Sequence, residues 1–193
     1  MKKVTKIILL GDSDVGKSSI VCRFNDNTFN KENDTLIGSS FISKKVHYNE
    51  KQYFIQLWNF RLCERIKEIP KYFYNGIDGL FFVFDITNRN TFTWIFKIIE
   101  NMEEFYKEKK YPPIYLIGNK CDLDMKREVS KEEALSVSNH YGYKYFECSA
   151  LTGKNINELI HSMLREIINE IECIEEKNKK LEIKESTTLC YLF

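Results

Sequence analysis

The sequence has no excess of charge of either sign, because 29 lysines and arginines nearly cancel 28 aspartates and glutamates. A chain without a net field has no general attraction for nucleic acid or for an acidic membrane. We therefore expect no nucleic-acid partner, and any membrane contact must be local. The six cysteines show neither C-x-x-C pairs nor metal-finger spacing, which favours reduced thiols in the cytosol over a disulfide framework.

The sequence also lacks a secretory signal and any apolar run long enough to cross a membrane. Its first apolar run, Val4–Leu10, leads straight into a glycine loop and is predicted to be a strand. Lys2 stands where N-myristoylation requires glycine. The 193 residues suit one domain, predicted over 1–172, followed by a charged tail over 173–193 that we predict to be flexible.

Short runs rich in β-branched and aromatic residues alternate with helical patterns. The predicted strands are Val4–Leu10, Phe41–Val46, Tyr53–Trp58, Leu80–Ile86, Ile114–Ile117 and Tyr145–Cys148. The predicted helices are Ser18–Phe24, Trp94–Tyr106, Lys131–His140 and an amphipathic C-terminal helix. This alternation predicts an α/β fold of three layers, with a six-stranded, mostly parallel sheet, one antiparallel edge strand and helices on both faces. Ligands of such sheets bind at the carboxyl ends of the strands.

A phosphate-binding loop is predicted between the first strand and the first helix. Residues 11–18 read G-D-S-D-V-G-K-S and fit G-x-x-x-x-G-K-[ST], whose glycines let successive N–H groups face a phosphate. Lys17 supplies positive charge, and the Ser18 hydroxyl is a Mg²⁺ ligand. Asp14 would repel phosphate and speed nucleotide release, unless its side chain points to water. The predicted phosphate-binding residues are Ser13, Asp14, Val15, Gly16, Lys17, Ser18 and Ser19.

Two further loops are suited to selecting guanine. N-K-C-D at residues 119–122 follows one predicted strand, and E-C-S-A at 147–150 ends the last. Asp122 can accept hydrogen bonds from the N1–H and the exocyclic amine of guanine, a pair that adenine does not offer. Ala150 N–H is placed to donate to the guanine carbonyl, and Asn119 can tie its loop to the phosphate loop.

Together these motifs resemble the Ras superfamily of small GTP-binding proteins, and within it the Rab branch. The resemblance runs from about Lys3 to Ile171 and includes I-G-x-x-F, Y-F-Y-N-G and G-L-F-F-V-F-D-I-T. It implies a P-loop G domain that binds GTP or GDP with Mg²⁺. It also implies that Asp85 is structural rather than a metal ligand. The implied guanine-binding residues are Phe29, Asn119, Lys120, Asp122, Ser149, Ala150 and Leu151.

The chain departs from the family where the family senses the terminal phosphate. The family reads W-D-T-A-G-Q-E where residues 58–64 read W-N-F-R-L-C-E. Asn59 replaces the aspartate that holds a Mg²⁺-bound water, and Leu62 replaces the glycine whose N–H reaches the phosphate. Cys63 replaces the glutamine that orients the attacking water, so no catalytic residue is intact. Leu36 stands where the family has its metal-binding threonine, and Thr35 could substitute only through a one-residue bulge.

The C-terminal residues C-Y-L-F fit the prenylation motif C-a-a-X with Cys190 as the acceptor, and a final Phe favours geranylgeranyl over farnesyl. One isoprenoid anchors reversibly, so a prenyl-carrier protein and exchange between cytosol and a cytoplasmic membrane face are expected.

From the sequence we interpret the chain as a Rab-like guanine-nucleotide-binding protein of vesicle traffic. Effectors and regulators are expected to dock around the switches, discrimination between GTP and GDP to be weak, and hydrolysis to be slow or absent. Two alternatives are a conventional GTP-hydrolysing Rab switch and a scaffold that acts without nucleotide.

Overall fold

A computed structural model of the chain describes residues 4–29, 40–59, 75–107 and 110–190, with backbone alone for Ser40 and residues 174–190. The strands are β1 (Val4–Leu10), β2 (Ser40–Tyr48), β3 (Lys51–Asn59), β4 (Gly79–Asp85), β5 (Ile114–Asn119) and β6 (Lys144–Glu147). The helices are α1 (Lys17–Asp26), α2 (Arg89–Tyr106), α3 (Lys131–Tyr141) and α4 (Ile156–Cys190), with a short 3-10 helix over Cys121–Lys126.

The six strands form one sheet in the order β2-β3-β1-β4-β5-β6. Only β2 is antiparallel to its neighbour, and the other pairs are parallel. The two hairpin residues Asn49 and Glu50 both have positive φ, 46° and 62°, which matches the twist that a two-residue hairpin requires. The predicted α/β fold, with its single antiparallel edge strand, is confirmed.

Helices cover both faces of the sheet because side chains alternate along buried strands. Ile7 and Leu9 of β1 pack in a core with helices α1 and α4. Ile8 and Leu10 pack in a second core with α2 and α3. Every residue of β4 is buried, as expected of a central parallel strand. The three predicted layers are therefore present.

The C-terminal helix is longer than the sequence predicts. α4 runs as far as Cys190, whereas the charged composition predicts a frayed end and a flexible tail from residue 173. The glutamates and lysines after Cys173 are good helix formers, so a helix can continue beyond Ile171, which is half-buried against the core. The boundary between domain and tail stays a prediction.

Candidate guanine-nucleotide site

The carboxyl ends of the central strands bring the predicted loops to one edge of the sheet. Leu9 of β1 pairs with Asn59 of β3, and Asp85 of β4 pairs with Asn119 of β5. The phosphate loop follows β1, so it lies between these two pairs of strand ends. Distant stretches of sequence thereby meet at the edge of the sheet where such folds bind ligands.

The phosphate loop is shaped by two glycines that no other residue could replace. A Cβ at Gly11 would lie 2.2 Å from the carbonyl oxygen of Val83, and one at Gly16 would lie 2.3 Å from Asn119 Nδ2. Gly16 also has φ +91° and is the N-cap of α1, where it offers no side chain to cap the first turn. The N-terminus of α1 is therefore available to an anion.

Lys17 folds back across the loop, where its Nζ donates to the carbonyl oxygens of Gly11 at 2.9 Å and Asp12 at 2.6 Å. The side chain is buried, so its charge is focused on the cleft. Val15 is fully buried, and only its main chain can face a phosphate. Asp14 is exposed and has φ +58°, a conformation that aspartate tolerates, and this favours the interpretation in which its carboxylate points to water.

Asn59 lies against Ser18 at the predicted metal position. Its Nδ2 donates to Ser18 Oγ at 2.7 Å, while its Oδ1 is buried and has no hydrogen-bond partner among the described residues. A hydroxyl and an amide oxygen suit Mg²⁺, which prefers hard oxygen ligands, so the residues present fit the ion. They bring no negative charge of their own. The described residues contain no group of three or more acidic, histidine or cysteine side chains that could hold a metal.

Asn119 joins the three predicted loops. Its Nδ2 donates to Val15 O at 2.8 Å, and its Oδ1 accepts from Ala150 N at 3.2 Å and from Cys148 Sγ at 3.6 Å. The predicted tie to the phosphate loop is thus present. The sequence predicts that Ala150 N–H donates to guanine, and in the structure this N–H is directed at Asn119 Oδ1. At 3.2 Å that bond is at the long end of the usual range, so the N–H can be shared with a ligand carbonyl.

Lys120 and Asp122 are each held by a partner that the motifs alone do not reveal. Lys120 Nζ lies 2.6 Å from Asp85 Oδ2, and Asp85 Oδ1 accepts from the N–H of Thr87 at 2.8 Å and from its hydroxyl at 2.7 Å. Asp85 is therefore structural, as the resemblance implies. Ser149, fully buried, donates its hydroxyl to Asp122 Oδ1 at 2.5 Å and fixes that carboxylate.

The remaining predicted contacts lie in different settings. Leu151 is 49% exposed and can cover a base. Phe29 is half-buried against the core that contains α1 and α4. Ser13 is exposed, and Ser19 is half-buried in the first turn of α1. Thr35 and Cys63 lie outside the described residues, as does the side chain of Cys190.

Burial and neighbouring charges shift the pKa values of three side chains in the two base loops, Cys121, Glu147 and Cys148. Burial raises the pKa of the Cys148 thiol far above its usual range, and burial also raises the pKa of Cys121. Burial alone would raise the pKa of Glu147, but hydrogen bonds from Arg127 and Tyr145 outweigh it, and the pKa lies below its ordinary value. Arg127 binds both carboxylate oxygens of Glu147, at 2.7 and 3.1 Å.

A sequence model of the Ras family matches residues 6–169. The chain belongs to the Ras family. Rab-13 of Canis lupus familiaris is 34% identical to this Ras-family chain over 165 residues, covering 84% of this chain and 79% of the relative. Human Rab-8B is 34% identical over 166 residues, covering 86% and 79%, and human Rab-15 is 35% identical over 153 residues, covering 79% and 71%. The resemblance to a Rab-like small GTPase is therefore confirmed.

Sequence motifs did not identify Arg23 as part of this Ras-family site, nor did they identify the partner of Asp85. Arg23 contacts the loop after β6 through its guanidinium, and Asp85 pairs with Lys120. A lone arginine in a helix has no spacing pattern that would reveal its partner. Because Asp85 is the last residue of a buried strand, the sequence predicts that it lies near the site. The sequence does not predict that its partner is Lys120. Among the described residues, no helix is long and apolar enough to cross a bilayer.

Proposed function

We propose that this chain binds guanine nucleotides through the loops described above, holds Mg²⁺ weakly, discriminates little between GTP and GDP, and hydrolyses GTP slowly or not at all. One observation carries the proposal. Asn59, 4% exposed, presents an uncharged amide to Ser18 at the position where the family has a carboxylate.

The chemical reason lies in charge. Bound Mg²⁺ would neutralise the β- and γ-phosphates, with Ser18 Oγ as a ligand from the protein and Asn59 Oδ1 as an acceptor for a Mg²⁺-bound water. Asn59 Nδ2 already takes up one lone pair of Ser18 Oγ, so the hydroxyl is a poorer ligand than one that donates to a carboxylate. Because Asn59 brings no negative charge to the metal position, we expect Mg²⁺ to favour GTP over GDP less than it does in the family. A ligand shifts a conformational equilibrium only by the difference between its affinities for the two conformations, so GTP and GDP should then shift this equilibrium to similar extents.

Catalysis is expected to be weak for a related reason. Phosphoryl transfer depends on positioning and electrostatics, and the sequence lacks the glutamine that orients water, with Cys63 in its place. Intrinsic hydrolysis should therefore fall below about 10⁻⁴ s⁻¹, the rate of an unassisted family member.

The proposed output is docking of traffic proteins beside the site. Phe41 of β2 is 49% exposed and stacks on Trp58 of β3, with ring centroids 4.4 Å apart and Lys6 Nζ 5.1 Å above the Trp58 ring. An exposed aromatic side chain that stacks on a half-buried tryptophan of an edge hairpin is a typical anchor for a protein partner. Geranylgeranyl at Cys190 and a prenyl-carrier protein would confine that docking to a cytoplasmic membrane face.

The test compares the wild-type chain with Asn59→Asp. Dissociation of fluorescent GDP is timed with Mg²⁺ and with EDTA. We expect EDTA to speed release from wild type by less than about threefold, and Asn59→Asp to raise Mg²⁺ affinity roughly tenfold through the added charge. Asn139→Asp, on the exposed face of α3, adds the same charge far from the cleft and should change neither value.

Single-turnover assays with labelled GTP complete the test. We expect no hydrolysis above background in wild type and measurable hydrolysis in Asn59→Asp plus Cys63→Gln. Wild-type hydrolysis at an ordinary family rate would favour the conventional switch. A purified chain that carries and binds no guanine nucleotide would favour the scaffold.

A further inference from the structure

Arg23, in the last turn of α1, joins that helix to the loop that follows β6. Its Nε donates to Ala150 O at 2.9 Å, and its Nη2 donates to Leu151 O at 2.6 Å. Its Nη1 donates to Asn27 O at 2.7 Å. One side chain therefore holds three main-chain carbonyls from two segments that are far apart in sequence.

The geometry requires a guanidinium. Arginine presents five N–H donors in a rigid planar fork, whereas lysine presents one compact ammonium on a flexible stem. Three acceptors in three directions match the fork. The Arg23 carbonyl also accepts from Asn27 N–H at 3.1 Å, so this residue closes the C-terminus of α1 with both its main chain and its side chain.

These contacts bear on the predicted guanine donor, Ala150 N–H. The peptide plane that precedes Ala150 is directed by Asn119, which accepts from this N–H at 3.2 Å. The two planes that follow are directed by Arg23 through the Ala150 and Leu151 carbonyls. The direction of the N–H is thus set from both sides, and Arg23 provides one of them.

We propose that Arg23 is a positioning residue for recognition of the 6-carbonyl of guanine. It fixes the two peptide planes that follow Ala150, so that Ala150 N–H stays where Asn119 and a guanine carbonyl can share it, and through Asn27 it also holds the start of the segment that leads to Phe29. The inference rests on the proposed binding of guanine nucleotides. It adds Arg23 as the residue that positions Ala150 N–H for the 6-carbonyl of the base.

Lys44 provides a matched control on the same helix end. Its Nζ donates to Phe24 O at 2.5 Å and to Asn25 O at 3.1 Å, and it lies 4.6 Å from the centroid of the Phe24 ring. It binds carbonyls near the C-terminus of α1 as Arg23 does, but it comes from β2, and its hydrogen bonds do not extend to the loop after β6. Removing it tests the loss of a helix-end contact alone.

The experiment uses the full chain as wild type, Arg23→Met, Arg23→Lys and Lys44→Met. Affinities are measured by competition against fluorescent GDP for three probes: GDP, inosine diphosphate, and 2,6-diaminopurine riboside diphosphate. Inosine keeps the 6-carbonyl and lacks the 2-amine, whereas diaminopurine replaces the carbonyl with an amine. Thermal unfolding of each variant is recorded alongside.

We expect Arg23→Met to weaken GDP and inosine diphosphate by the same factor, roughly tenfold, the size expected for one hydrogen bond. The diaminopurine nucleotide should change by less than about twofold, because it offers Ala150 no acceptor. Arg23→Lys should weaken the same two nucleotides, GDP and inosine diphosphate, by a smaller factor than Arg23→Met does. It serves as the test variant if Arg23→Met does not fold. Lys44→Met should leave the ratios of the three affinities unchanged.

Equal weakening of all three probes in the Arg23 variants would overturn the inference, because it would indicate loss of folded structure alone. No change in any affinity would overturn it as well. A wild-type chain that binds none of the guanine probes would instead overturn the proposed function, and the inference with it.

Discussion

Within the ranges that the structure describes, the predicted base side of the site is held by more hydrogen bonds than the predicted metal side around Asn59 and Ser18. On the base side, Asn119 makes three hydrogen bonds, Ser149 fixes Asp122, and Lys120 is paired with Asp85. On the metal side, Asn59 makes one hydrogen bond to Ser18 and leaves a buried acceptor without a partner in the described part of the chain. Both sides lie at carboxyl ends of strands in the same sheet, so the fold supports them equally.

This difference teaches that a strand end can keep its place in a sheet although the charge of its last side chain differs from the family pattern. Asn59 has nearly the same shape as the aspartate that the family places there, and it is buried at the paired end of β3. Charge is the property that has changed. Under the proposed function, the same architecture would retain recognition of the base while sensing of the terminal phosphate is weakened.

The largest expected effect is on the base side. Asp122→Asn should lower affinity for GDP roughly a thousandfold, because the carboxylate accepts two hydrogen bonds from guanine and an amide nitrogen cannot. Affinity for xanthosine diphosphate should rise, since its 2-carbonyl can accept from the new amide. Competition against fluorescent GDP measures both.

The fold should survive that change, because Asn keeps an oxygen to accept from Ser149. Unchanged thermal unfolding is the control. GDP affinity within about tenfold of wild type would contradict the base contact assigned to Asp122.

A second prediction compares two buried asparagines, Asn119 and Asn59, which are 1% and 4% exposed. Asn119→Leu should lower the free energy of unfolding by about 3 kcal/mol or more, because Val15 O and Ala150 N–H lose a buried partner. Asn59→Leu should cost about 1 kcal/mol or less, since it removes an unsatisfied acceptor along with one hydrogen bond. Urea unfolding of nucleotide-free chains measures the difference.

Each variant is the control of the other, because the substitution and the degree of burial are the same. Equal decreases in the free energy of unfolding would show that Asn119 on the base side stabilises the fold no more than Asn59 on the metal side.

The smallest expected effect is a pH dependence at Glu147. Its pKa is lowered in the folded state, so its contribution to stability is present above the unfolded pKa, about 4.3, and is lost as the pH falls through the folded value. Glu147→Gln should remove that part of the acid destabilisation, worth about 1 kcal/mol for a carboxylate that is 13% exposed. Urea midpoints between pH 3 and 7 measure it.

Glu133→Gln offers a comparison, because Glu133 also binds an arginine through both oxygens but at a more exposed site, where its side chain is 32% exposed. Identical acid profiles for wild type and Glu147→Gln would contradict the prediction.

Much of the architecture follows from local pattern. Buried parallel strands are nearly continuous apolar runs, so β1, β4 and β5 were predictable within a residue or two, as was the hairpin of β2 and β3. The end of α4 was not predictable in this way, because charged residues with good helix propensity are compatible with either a helix or a tail.

The motifs predicted which loops form the site, but not what positions their side chains. Lys120 is paired with Asp85, Asp122 accepts from Ser149, and the Ala150 loop is held by Arg23. Arg23 and Ala150 are 127 residues apart in the sequence. Such pairings depend on where the strands meet, and local sequence does not encode that distance.

By itself the sequence determined the residue types: a phosphate loop, a guanine-selecting aspartate, and a neutral asparagine in place of a charge. These are chemical identities, and folding does not change them. Only the tertiary structure decided that Asn59 binds Ser18 through its nitrogen, that Ala150 N–H is directed by Asn119, and that Arg23 closes the base loop. Hydrogen bonds are short and directional, so they exist only once packing has brought donor and acceptor within about 3 Å.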